Sequence, residues 1–341
     1  METMIIPSED DKQMRLAAQI IRECGLVAFP TETVYGLGAN ALMSGAAEKV
    51  YAAKGRPSDN PLIVHLHDAG EAEKYAHVTP LFDKISSVYM PGPLTYILKK
   101  KPVIPDSVTG GLDTVGIRVP KNETANKLIR YSGVPIAAPS ANLSGRPSTT
   151  AAAHVIADLY GRIDAIIDGG EAEIGLESTI IAEENGSVRI LRPGAITVEM
   201  LRDLGCEVTL DKAVTERLSE NERPLAPGMK YRHYAPRAEV TLLSGETGSI
   251  NRYLLTFAGR SDTAVICYCE DEELTELSNA YVIGDRKDKK NTAHRLFSLL
   301  RELDGNSEIK YIYSSAPDTD GIGLAIFNRL VKAAGYRIIK V

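Results

Sequence analysis

Cysteine is scarce: the chain has 341 residues and four cysteines. Cys24, Cys206, Cys267 and Cys269 show no paired metal-ligand spacing, so they read as reduced core residues, with neither zinc nor a disulfide. Cys267 and Cys269 sit in AVICYC, which reads as a strand and puts them on one face. Long apolar runs are missing as well; none approaches the roughly 18 residues of a membrane span. The start, METMIIPSEDDKQMRL, lacks the basic and then apolar pattern of a signal peptide. A cytoplasmic protein is expected, with no membrane partner. There is no excess of positive charge: 39 Lys and Arg against 45 Asp and Glu leave a net charge of −6. A surface built to coat nucleic acid is therefore excluded, and any anion site must be local. The common catalytic signatures are absent too. There is no G-x-x-x-x-G-K-[ST], H-E-x-x-H, C-x-x-C or G-x-S-x-G, and GIGLAI at Gly321 reads as a glycine turn opening a helix.

What is present suffices for two domains, with 44% hydrophobic and 25% charged residues. Helical and strand patterns interleave. QMRLAAQIIREC, GAAEKVYAAK, PLFDKISSVYM, ANKLIRYSG and AAAHVIADLY have helical spacing. LVAFP, LIVHL, TYILKK, VGIRVP, PIAAPSA, AIIDGG, STIIAEE and SVRILRPG read as strands. Several strands follow one another directly, which predicts a mixed sheet covered by helices. Residues 211–237 are polar and proline-containing, as a linker is. Beyond them, strands and helices alternate as in a small doubly wound domain. The expected division is 1–210, a linker at 211–237, and 238–341.

Polar residues gather where strands end, the place where open α/β sheets bind ligands. KGRPSDNPLIVHL offers Lys54, Arg56 and His65, with prolines that stop the preceding helix. FPTETVYGLG places Thr31, Glu32, Thr33 and Tyr35 before two glycines, so hydroxyls and bare backbone amides are offered together; the plain structural reading is a glycine turn with capping hydroxyls. APSANLSGRPS supplies Ser140, Asn142, Ser144, Arg146 and Ser148, a composition suited to an anion-binding nest. GLESTII and ILRPGAI add Ser178, Thr179 and Arg192. Singly, each has a plain structural reading: Lys54 and Arg56 as a solvated helix end, His65 as a core histidine.

Taken in order, PTETVYGLG, KGRP with NPL and a histidine, PGPLT, VGIRVP, and APSANLSG with a later GLESTI and RPG resemble the YrdC-type L-threonylcarbamoyl-AMP synthases. APGMKYRHYAP and the C-terminal region resemble the two-domain form of that family. The resemblance implies an α/β fold: a YrdC-like mixed twisted sheet covered by helices, plus a smaller Rossmann-like C-terminal α/β domain. It implies condensation of L-threonine, bicarbonate and ATP into threonylcarbamoyl-AMP and pyrophosphate. A downstream tRNA threonylcarbamoyl transferase complex would receive the product, and strong direct tRNA binding is not expected.

By the same resemblance, Lys54 and Arg56 are catalytic, neutralising the phosphates and the carbamate. Thr33, His65, Arg118, Ala138 and Ser178 surround L-threonine, with Arg118 on its carboxylate. Arg56, Asn60, Thr114, Ser140, Asn142, Ser148, Arg192 and Tyr231 touch ATP. Magnesium is expected on phosphate oxygens and water rather than on protein side chains, with no organic cofactor. The stretch around Tyr231, restricted by Pro224, Pro227 and Pro236 and allowed to bend at Gly228, is expected to act as a lid over ATP. Two other readings are an RNA-binding module and a carbamoyl-adenylate-handling transferase. The latter's longer architecture would bring zinc-finger cysteines that this chain lacks.

Overall fold

In TVGIR, bulky aliphatic residues alternate with polar or small ones, the period of a strand whose faces meet different surroundings, and IVH and LTYILKK are short runs rich in β-branched and bulky apolar residues, as strands are. The computed structural model pairs these segments as neighbours. It describes residues 2–217, 224–229 and 233–341, which form two units. Of the expected linker, residues 224–229 fall in the first unit and 233–237 in the second, while Tyr231 lies outside the described residues.

The first unit is built on a mixed twelve-stranded sheet. Its strands are β1 (Met4–Pro7), β2 (Val27–Phe29), β3 (Gly36–Asn40), β4 (Ile63–His65), β5 (Ala76–His77), β6 (Leu94–Lys100), β7 (Thr114–Arg118), β8 (Ile136–Ala138), β9 (Ala165–Asp168), β10 (Thr179–Glu184), β11 (Ser187–Arg192) and β12 (Val208–Leu210). Their order is β1-β9-β2-β3-β8-β4-β7-β6-β10-β11-β12, with β5 beside β6. In the centre, Val64 pairs with Ile117 and Ala137, and Ile117 pairs with Tyr96. All four lie in the main apolar core. The opposite face carries His65, Arg118 and Thr95, and that contrast decides where a ligand can sit.

Helix ends follow local chemistry. The helix Glu123–Ser132 starts where the Asn122 side chain accepts from Ala125 N, and it stops at Gly133, whose φ of 64° is left-handed. Ser44–Lys54 stops the same way at Gly55, with φ 62°. FPTETVYGLG does not end in a glycine turn, its plain structural reading; Gly36–Asn40 is strand β3. The reason is space. A Cβ at Gly38 would come within 2.8 Å of Ile136 Cγ2 and 2.9 Å of the Phe29 ring, so this strand needs glycine to pack.

The second unit holds five parallel strands, β13 (Glu239–Ser244), β14 (Thr263–Tyr268), β15 (Ala280–Gly284), β16 (Tyr311–Ser315) and β17 (Ile338–Lys340), in the order β15-β14-β16-β13-β17. That is the doubly wound pattern expected. A register shift at Cys267/Tyr268 closes β14, leaving Cys267 buried and Cys269 exposed, so the two do not share a strand face as expected. Among the described residues no helix is long and apolar enough to cross a membrane.

Candidate functional site

Register assembles the site. His65 on β4 pairs with Arg118 on β7, and Arg118 pairs with Thr95 on β6. Paired residues share a face, so the three side chains form a row across adjacent strands. Thr95 Oγ1 and Ser178 Oγ lie 2.8 Å apart, which extends the row to the start of β10. Along β7, Thr114, Gly116 and Arg118 alternate on that face. A Cβ on Gly116 would approach Thr95 Cγ2 to 3.0 Å; glycine leaves the floor between Thr114 and Arg118 bare.

Arg118 is 4% exposed and its charge is balanced by Glu32, also 4% exposed, with Nη2 3.0 Å from Oε1. Nη2 also reaches Thr31 Oγ1 at 3.5 Å. Thr31 and Thr33 are themselves linked, Oγ1 to Oγ1, at 2.8 Å. Arg118 Nε and both carboxylate oxygens of Glu32 make no hydrogen bond of acceptable geometry. Buried polar groups are rarely left so. The Asn60 Oδ1 and Thr149 Oγ1 atoms, buried in the same unit, are in the same condition.

A second arm comes from the end of the helix Ser44–Lys54. Lys54, 2% exposed, donates Nζ to the carbonyls of Ser140 and Asn142. It is therefore no solvated helix end; its ammonium gathers the turn after β8. Ser140 Oγ donates to Asn142 Oδ1 at 2.5 Å. Beyond Gly55, half-buried Arg56 reaches back to the carbonyls of Asn60 at 3.2 Å and Pro61 at 3.0 Å. A backbone bridge between Gly36 and Ser140, and Ala141 N on the Tyr35 carbonyl at 2.8 Å, dock this turn against the PTET loop.

The third arm centres on Arg192. Its Nε and Nη2 donate to the Ser178 carbonyl at 3.1 and 3.0 Å, and Nη2 reaches Ser178 Oγ at 3.2 Å. Nη1 reaches the Pro227 carbonyl at 3.5 Å. Nearby, Ala226 and Met229 pack with Ile63, Ile180, Leu191 and Ala213. Ser148 Oγ donates to Glu177 Oε1, next to Ser178. Ala138 pairs with Ile63 and closes the row beside Phe29 and Gly36.

His65 packs edge-on to Phe29, its centroid 6.0 Å away, and its Nδ1 donates to the Ile63 carbonyl at 3.1 Å. Burial, aided by the Arg118 cation, pushes its pKa down to about 3, so the imidazole is neutral. The unfolded chain, with an ordinary value of 6.5, takes up this proton first as pH falls. Stability is then lost going down, from pH 7 to 5, by about 2 kcal/mol for this group. Urea unfolding at both pH values should show that loss in the natural protein and not in His65→Gln; equal losses would sink the claim.

The described residues assigned to threonine and ATP thus lie in the first unit, in one row and two arms, whereas Arg146 of the same polar stretch falls in the second unit and Tyr231 is outside the described residues. Sequence reasoning gave no role to Thr95, Glu177 or Glu32. Thr95 and Glu177 sit inside PGPLT and GLESTI, and Glu32 inside PTET. For Glu32 and Glu177 the available signal was a polar residue beside an assigned one, and for Thr95 its place in the PGPLT motif.

Residues 19–194 match the family model described as telomere recombination, which takes in the Sua5, YciO and YrdC proteins, and residues 196–335 match the one described as threonylcarbamoyl-AMP synthase, C-terminal domain. The chain is similar to the threonylcarbamoyl-AMP synthase of Bacillus subtilis, with 45% identity over 337 residues, 98% of this chain and 96% of that one. It is 43% identical over 341 residues to the threonylcarbamoyl-AMP synthase of Pyrococcus abyssi, 97% of each chain. The crystal structure of P. abyssi Sua5 complexed with L-threonine matches with a TM-score of 0.92 at 41% identity, covering 100% of both chains. With family models matching residues 19–194 and 196–335 and full-length relatives above 40% identity, the chain belongs to the threonylcarbamoyl-AMP synthase family.

Proposed function

We propose that this chain condenses L-threonine, bicarbonate and ATP into L-threonylcarbamoyl-AMP, releasing pyrophosphate, for N6-threonylcarbamoyladenosine modification of tRNA. The observation that carries it is the buried row His65, Arg118, Thr95 and Ser178, lying between arms that hold Lys54, Arg56 and Arg192. Threonine would lie on the row, its carboxylate on Arg118 and its hydroxyl among Thr33, His65 and Ser178. The carbamate made from it is an anion that must attack the α-phosphorus of another anion. Fixed cations are the direct remedy, and positioning supplies much of the rest. Arg56, Asn60, Thr114, Ser140, Asn142, Ser148 and Arg192 would hold ATP, with Lys54 fixing the turn that carries Ser140 and Asn142. Among the described residues no group of three or more His, Cys, Asp or Glu is arranged to hold a metal ion; magnesium would arrive on the phosphates. The product would pass to a tRNA threonylcarbamoyl transferase complex.

Mass detection of threonylcarbamoyl-adenylate, dependent on threonine, bicarbonate and ATP together, is the test. Carbamoyl phosphate should not replace bicarbonate and threonine; if it does, a carbamoyl-handling transferase is the better reading. Because a hydroxyl-binding site leaves groups unpaired when the hydroxyl is missing, 2-aminobutyrate should show kcat/KM at least about a hundredfold below threonine. Comparable values would count against the pocket. The segment before and after Tyr231 is proposed as a lid, supported by the seating of Ala226 and Met229 on the sheet and of Pro227 on Arg192. Tyr231→Ala should weaken ATP binding about tenfold by calorimetry, roughly the loss of one stacked aromatic contact; unchanged affinity would make the segment a plain connector.

A further inference from the structure

Glu32 is a buried acid paired with Arg118, and its surroundings are incomplete. Both its oxygens lack a well-formed hydrogen bond, as does Arg118 Nε, although the ion pair itself spans 3.0 Å. Truncated solvation of this kind is costly unless something else completes it. A zwitterion would complete both halves together. In an α-amino acid the carboxylate and the ammonium hang from one carbon, so a carboxylate held by Arg118 brings its ammonium beside the acid that Arg118 already holds. We infer that Glu32 is the general base of the reaction, receiving a proton from the α-ammonium of the amino-acid substrate before the carbamate forms. This rests on the reading of the row as the threonine site.

The chemistry requires this deprotonation, which near neutrality favours a base in the site. An ammonium has no lone pair and cannot attack carbon. Glu32 takes one proton, becoming a neutral acid, and the amine nitrogen then attacks the bicarbonate carbon. A C–N bond forms and a C–OH bond breaks; the departing hydroxide leaves as water with a second proton from the nitrogen. Amine plus bicarbonate thus gives carbamate plus water, and the one surplus proton is the one on Glu32. His65 is a poorer candidate, because its Nδ1–H is committed to the Ile63 carbonyl and burial beside Arg118 disfavours its charged form.

The test compares the natural protein with Glu32→Gln over pH 6 to 9.5, reading threonylcarbamoyl-adenylate by mass and ATP affinity by calorimetry. The variant should keep ATP affinity and lose kcat by about a hundredfold or more near neutrality. The deficit should shrink as pH rises, because solution then supplies the neutral amine. A rate within about fivefold of the natural protein near neutrality would overturn the proposal. So would a loss equal at every pH, since Glu32 would then only hold Arg118 in place. If Glu32→Gln does not fold, the natural protein decides. Its affinity for 2,3-dihydroxybutanoate, threonine with a hydroxyl in place of the ammonium, should be at least about tenfold below that for threonine, and equal affinity would overturn the assignment. Failure of the natural protein to make adenylate at all would instead sink the functional reading, and this proposal with it.

Discussion

Lys54→Met should lower adenylate synthesis by at least about a hundredfold and make the protein measurably less stable. On sequence alone the expectation is a loss of charge at the phosphates with the fold intact. Geometry adds a second effect. The Lys54 ammonium is buried and donates to the carbonyls of Ser140 and Asn142. Methionine fills much of the same volume but offers no donor, so two carbonyls lose a charge-assisted partner, at about 1 to 3 kcal/mol each. The turn that presents Ser140 and Asn142 then relaxes. Urea unfolding should report the destabilisation, and activity corrected for folded protein should still show the large deficit. Turnover near that of the natural protein in a folded variant would remove Lys54 from the machinery.

Arg118→Lys should raise the KM for threonine by about two orders of magnitude while leaving ATP affinity unchanged. The substitution keeps the charge and discards the fork. Arg118 uses Nη2 on Glu32 and Thr31 while Nε stays open; a lysine point charge cannot serve a carboxylate ligand and Glu32 from fixed, planar positions. Hydrogen bonds to charged groups are each worth about 1.5 to 3 kcal/mol, and losing one or two of them sets the size of the effect. Separate titrations with threonine and with ATP check it. A matched loss for both ligands would mean that the sheet itself had shifted.

Much of this arrangement was legible in the amino-acid order because strands and helices announce themselves by period. TVGIR alternates, IVH and LTYILKK are short β-prone runs, and the helix ending at Gly133 carries both its caps. Strand β3 was not legible, since glycine there answers to the Phe29 ring and to Ile136, neighbours that only folding brings near. Family likeness named His65, Arg118 and Ser178, but not why they meet. That depends on pairing between β4, β7 and β6 and on the Thr95 link to Ser178. Glu32 could be seen as polar and near a strand end, but its significance comes from an arginine far along the chain. Lys54 shows the reverse case: its importance was readable, its burial and its grip on two carbonyls were not.

The alternation on β7 also limits how the gene can change length. Thr114, Gly116 and Arg118 face the ligand side, and Val115 and Ile117 face the core. Deleting one residue inside this strand would exchange the faces, driving a guanidinium into packed hydrocarbon and an isoleucine onto the binding surface. No nearby substitution could compensate, because the partners on β4 and β6 keep their own parity. Natural insertions and deletions should therefore be confined to connections such as 101–113 and 119–122, and a library of single-codon deletions scanned across 101–122 should lose function throughout Thr114–Arg118 and survive only outside that strand.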